Sequence, residues 1–159
     1  MKKHNELKDY PYAWVFNRAD LAISPEDKAQ IRPLTPVYAQ QVWHNQVGQQ
    51  CHDLERVEEE PWLSDDQCWP SQWEWAEAFE SDEGPLPQPL HQFLNWDPQT
   101  LVFICYDDQH ILETRYDVFQ RNWKAFLFAA DQALVCGRRR HEALWFVDEH
   151  KVRLGCRKA

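Results

Sequence analysis

The alternation of apolar and polar positions is clearest from Leu101 to Phe128, LVFICYDDQHILETRYDVFQRNWKAFLF. Leu101 to Tyr106 form an unbroken apolar run of strand-forming types, which suits a central strand covered on both faces. After Asp107-Asp108-Gln109 the period becomes two. His110, Leu112, Thr114 and Tyr116 then fall on one face, with Ile111, Glu113 and Arg115 on the other. Two runs and a short polar turn predict a hairpin. Asp117 reads as the cap of a following helix, because Asp117 and Gln120 have capping-box spacing. Inside that helix Phe119, Trp123, Phe126 and Leu127 share one face.

Shorter elements surround this stretch. From Tyr10 to Arg18, Tyr12, Trp14 and Phe16 alternate against Ala13 and Val15, predicting a short strand. Ser24-Pro25 with Asp27 predicts a short helix limited by Pro33. Thr35-Pro36 repeats the start signal for a second helix, whose apolar face carries Tyr38, Ala39, Val42, Trp43 and Val47 and which stops at Gly48. Leu90, Phe93 and Leu94 fit one more short helix ahead of Asp97-Pro98. Beyond the main helix, 133–136, 143–147 and 151–156 read as successive antiparallel strands. The expected fold class is α+β: a single domain over residues 1–159, mainly antiparallel sheet with several short helices.

Composition changes this picture in one place. From Asp53 to Glu83 twelve acidic residues stand against Arg56 alone, a charge of −11, yet the segment also holds Trp62, Trp69, Trp73, Trp75 and Phe79. Acidic tails lack such rings, so the segment is expected to be ordered and loop-rich, with a short helix near Ser71 to Glu80. A chain of 159 residues can bury about two thirds of the surface its unfolded form exposes. Its net charge of −9 disfavours contact with nucleic acid or anionic lipid through the whole surface. MKKHNELKDYPYAW lacks the apolar core of a signal peptide, and no later run approaches a membrane span. Five cysteines without a CxxC pair suit reduced thiols, so a cytoplasmic location is expected.

Few residues carry recognisable chemistry. P-loop, dinucleotide, GxSxG and HExxH signatures are absent. His44, Cys51 and His52 match no common zinc spacing, so neither metal nor cofactor is expected. Cys105, inside the apolar strand, reads as a small hydrophobe. The cluster Trp62, Trp69, Trp73, Glu74 and Trp75 could line a pocket for a cationic or sugar-like ligand; core packing is the plainer use of those rings. Arg138, Arg139 and Arg140 lead a carboxy-terminal stretch of net charge +4. They are candidates for contact with an anion or a partner, or for neutralisation by the acidic segment packing beside the carboxy-terminal strands.

One resemblance adds to this reading. YAWVFNRADLAISPEDKAQIRPLTP, from Tyr12 to Pro36, together with RYDVFQRNWKAFLF, resembles a family of short gammaproteobacterial proteins catalogued as domain of unknown function 2947. The similarity spans most of the chain. It implies a bacterial cytosolic protein and brings no activity and no catalytic residues. The residues themselves point to a non-catalytic binding or regulatory protein, with another protein as a candidate partner and no membrane. The alternative is a hydrolase in which the fold gathers His91, His110 or His141 with a carboxylate of raised pKa. A weaker alternative is binding of RNA or another polyanion by the basic carboxy-terminal face.

Overall fold

The computed structural model describes residues 2–128 and 130–157. Among them, β1 (Arg32–Pro33), β2 (Ser71–Glu74), β3 (Leu101–Cys105), β4 (Ile111–Arg115), β5 (Ala133–Gly137), β6 (Glu142–Phe146) and β7 (Lys151–Cys156) form one sheet. Its order is β1-β4-β3-β5-β6-β7-β2, with every neighbouring pair antiparallel. The helices are α1 (Pro25–Lys28), α2 (Pro36–Gln46), α3 (Ala76–Glu80), α4 (Gln88–Leu94) and α5 (Tyr116–Leu127). The fold is α+β.

β3 runs through the middle and alternates its side chains between two cores. Val102 and Ile104 join a core with Leu90 of α4 and Phe119, Trp123 and Phe126 of α5. Phe103 and Cys105 join the opposite core, which α2 covers with Ala39, Val42 and Trp43. Helices on both sides explain why β3 is apolar at every position. Trp43 is fully buried, and its indole N–H donates to the Cys51 carbonyl at 2.7 Å, which fastens the chain beyond α2 to that helix.

The helix starts follow side-chain chemistry. Ser24 Oγ accepts from the Asp27 amide at 3.1 Å, and Thr35 Oγ1 accepts from the Tyr38 amide at 3.4 Å. In α5 the expected cap is corrected. The helix begins at Tyr116, so Arg115 occupies the cap position and Asp117 lies inside the first turn. The Asp117 carboxylate instead accepts from the Val118 amide at 2.8 Å and from Arg115 Nε and Nη2 at 3.1 and 2.8 Å. Its worth is that of a helix-start acid with a partly exposed ion pair. Asp117→Ala is therefore expected to cost about 0.5–1 kcal/mol in chemical denaturation, and a loss near 2 kcal/mol would restore the cap.

Two further expectations are revised. Tyr10 to Arg18 is not a strand: residues Ala13–Asn17 form a 3-10 turn in which the adjacent Val15 and Phe16 are both buried. A strand sends neighbouring side chains to opposite faces, so the alternating rings there imitated a period that packing does not use. Ser71–Glu74 is a strand, and the helix starts only at Ala76. The open edge of β7 supplies backbone partners to that stretch, a long-range influence that helical spacing cannot register.

α5 is kinked at Asn122, where φ is −124° and ψ is 24°. The Asn122 amide donates to the Val118 carbonyl at 3.0 Å and to Asp27 Oδ2 at 2.8 Å. Competition of this kind for helix carbonyls is a recognised cause of kinks.

Candidate acid and aromatic cavity

A cavity of about 450 Å³ opens beside the turn between β3 and β4. Its floor begins with that turn. Asp107 Oδ1 accepts from the amides of Gln109 and His110 at 2.8 Å each, the geometry by which an aspartate closes a turn. The same carboxylate meets His110 Nδ1 at 2.9 and 3.0 Å through its two oxygens. His110 is thus held by one ring nitrogen, which leaves Nε2 for other contacts.

Three other segments are drawn to this turn. A backbone bridge joins Asp53 to Asp107, and the Asp108 amide donates to the His52 carbonyl at 3.0 Å. These contacts bring Asp53, Leu54 and Glu55 into the wall. Tyr106 donates its hydroxyl to the Phe126 carbonyl at 2.5 Å, fixing its ring against the end of α5. From the amino-terminal side come Tyr10 and Tyr12, edge to face at 6.0 Å. Burial, then Tyr12 and the Asp107 carboxylate, pushes the Tyr10 phenol well above its ordinary pKa. Asp131 and Gln132, just before β5, close the remaining side.

The lining therefore holds four carboxylates, Asp53, Glu55, Asp107 and Asp131, and the rings of Tyr10, Tyr12, Phe16, Tyr106 and Phe126. Among the described residues it holds no Lys or Arg. Carboxylates without cationic partners in the same wall create a negative potential, and aromatic faces add attraction for cations. The lining also lacks Ser, Thr and Cys, so the His110–Asp107 pair has no side-chain hydroxyl or thiol nucleophile of those kinds beside it.

The residues singled out from sequence lie elsewhere. The sheet divides the tryptophan cluster. Trp62 and Trp69 stack at 5.3 Å in the core under α2, whereas Trp73 and Trp75 pack into the α5 core. Three indole N–H groups donate to backbone carbonyls: Trp62 to Val47, Trp69 to Trp62 and Trp75 to Asp148. Glu74 is exposed on β2. Among the histidines, His91 Nδ1 lies 2.8 Å from Tyr116 Oη, and His141 is exposed. His110 alone of the three candidates is seen here with a carboxylate partner.

Arg138 and Arg139 are exposed in the turn between β5 and β6, and Arg140 reaches Asp97 at 3.1 Å and Thr100 at 3.2 Å. The acidic segment does pack beside the carboxy-terminal strands, but through the β2–β7 ladder and an Arg153–Asp66 pair at 3.1 Å. Neutralisation of Arg138 to Arg140 by that segment is therefore corrected: the ladder holds it at the opposite edge of β7 from β6. His44 is exposed, His52 meets Asp108 at 3.1 Å, and Cys51 is buried. Burial first, then Glu60, pushes the Cys51 thiol up to about 12. Among the described residues no group of three or more His, Cys, Asp or Glu could hold a metal ion.

Tyr10, Tyr12, Tyr106, Asp53, Glu55 and Asp131 were not legible as a site. Asp107 and His110 were visible as turn and candidate histidine, but nothing in the sequence joined them to the other segments. Among the described residues no helix is long and apolar enough to cross a membrane. In comparison with known proteins, the model of a family described as Protein of unknown function (DUF2947) matches residues 4–155. No curated protein and no solved structure matches the chain.

Proposed function

The chain belongs to this family of proteins of unknown function, and from that premise we propose a cytoplasmic, non-catalytic binding protein whose cavity takes the cationic head of an organic amine. One observation carries the reading: four carboxylates and five aromatic rings line a single cavity that, among the described residues, has no Lys or Arg in its wall. Asp53 and Asp107 are held by backbone amides, so a neutral or anionic ligand would leave chiefly Glu55 and Asp131 without a cationic partner, whereas an ammonium group is attracted by both oxygens and ring faces. The volume is within the range of small-ligand sites. Five free thiols support the cytoplasmic location.

Calorimetric titration with n-butylammonium, n-butanol and butyrate at low salt tests the reading, because the three probes share a chain and differ in charge. Butylammonium is expected to bind with a Kd of about 1 mM, a reasonable affinity for five non-hydrogen atoms, with butanol about tenfold weaker and butyrate undetectable. Joint replacement Glu55→Gln and Asp131→Asn should weaken the ammonium about fivefold, since both side chains are exposed and their change spares the core. Equal binding of the three probes would refute charge as the basis of selection.

A hydrolase reading draws on the His110–Asp107 pair, whose geometry suits a general base acting on water. Turnover of simple acyl esters that is abolished by His110→Gln would favour it over a binding role.

A further inference from the structure

The cavity wall continues outward as an aromatic shelf. Tyr12, which lines the cavity, is 47% exposed, and Trp14, outside it, is 53% exposed. In the same turn Val15 and Phe16 are only 1% and 2% exposed, so the 3-10 turn is anchored with its inward positions occupied. Trp14 meets Phe128 edge to face at 6.2 Å. The Arg18 guanidinium lies 4.0 Å from the Phe128 ring centroid and is paired with Asp20 at 2.7 Å. The shelf therefore runs from the cavity to the end of α5, and the Arg18 cation on it is already balanced by a neighbouring carboxylate.

A small amine would occupy part of the cavity and leave Trp14 uncovered. Exposed rings beside a charged pocket are the arrangement of a two-part docking site, with a charged group selecting and an apolar group anchoring. We propose that the shelf and cavity together bind a lysine- or arginine-bearing segment of another protein, its cation entering among the carboxylates while an adjacent apolar side chain covers Trp14. Charge complementarity selects this occupant: among the described residues the wall carries four carboxylates and no Lys or Arg, and the chain as a whole has a net charge of −9. The inference rests on the cation-binding reading and specifies the class of partner.

The test compares the peptide Gly-Leu-Lys-Leu-Gly-amide, labelled with a fluorophore on its terminal amine, with the same labelled peptide carrying norleucine in place of lysine, and with n-butylammonium as competitor. The lysine peptide is expected to bind at least about tenfold tighter than butylammonium, corresponding to about 1.4 kcal/mol, and the norleucine peptide to lose most of its affinity. Trp14→Ser, a change at an exposed ring, should bring the peptide to the level of the amine while leaving amine binding intact. A peptide no tighter than a still-binding amine overturns the shelf alone. Failure of both ligands overturns the cavity reading as well. Sedimentation equilibrium supplies the other occupant: a wild-type dimer that Trp14→Ser converts to monomer would mean that a second copy of this chain covers the shelf, which overturns the proposal.

Discussion

Asp27→Ala is expected to destabilise the fold by about 2–3 kcal/mol in urea denaturation at neutral pH. The Asp27 side chain is 12% exposed, and its carboxylate accepts three hydrogen bonds from α5: Arg121 Nε at 3.1 Å, Arg121 Nη2 at 2.7 Å and Asn122 Nδ2 at 2.8 Å. Breaking a fully buried ion pair costs about 3–5 kcal/mol, but the Arg121 side chain is 52% exposed and can return to water. The lower range for hydrogen bonds to charged groups, with the unpaired Asn122 amide added, gives the expected loss.

The same carboxylate predicts an acid response. The Arg121 hydrogen bonds, against the opposing effect of burial, hold its pKa below the ordinary carboxylate value. Because the folded value is below the unfolded value of about 3.9, this contribution is fully present above about pH 5 and is lost as pH falls through the carboxylate range toward the folded pKa. Asp27→Asn should therefore be less stable than wild type at pH 7 and closer to it at pH 3. A wild-type loss on acidification that the Asn variant shares in full would remove Asp27 from the account. The clamp also bears on the cavity, since Ala125 and Phe126 in its wall lie in the part of α5 beyond the kink at Asn122.

Gly155→Ala should cost a further, independent amount of about 2–3 kcal/mol and loosen the acidic segment. A Cβ there would sit 2.2 Å from the Cys68 carbonyl oxygen and 2.4 Å from a Trp69 ring carbon. One neighbour is backbone and the other is a ring only 4% exposed, so neither yields without moving the chain. The displacement falls where the acidic segment enters β2, and limited proteolysis within residues 53–83 should accelerate. Gly84→Ala is the control: among the described residues a Cβ there would meet no atom within 4 Å beyond its chain neighbours, and a change within about 0.5 kcal/mol is expected. Equal effects of the two substitutions would mean that β7 and the 68–69 segment do not pack as described.

Local chemistry made most elements readable. β3 and β4 carried their periods and turn within twenty residues, and the Ser24 and Thr35 caps sat directly before prolines in the first helical turn. β2 was hidden because its strand character comes from β7, far away in the chain. The Tyr10 to Arg18 turn was hidden because its aromatic alternation fitted a strand, while the burial of adjacent Val15 and Phe16 is decided by tertiary packing. The cavity was least legible for a related reason. Asp53, Asp107 and Asp131 each look like isolated loop acids, and they share a wall only because the β3–β4 turn and the approach to β5 meet at one end of the sheet.

The most direct measurement is a two-dimensional amide spectrum of nitrogen-15-labelled protein titrated with n-butylammonium. Saturable shifts are predicted at the amides of Glu55, His110 and Gln132, which line the cavity, while the indole signals of Trp62 and Trp69 stay fixed. Shifts confined to those two indoles or to Arg138, Arg139 and Arg140, with the cavity amides unmoved, would contradict cation binding in the cavity.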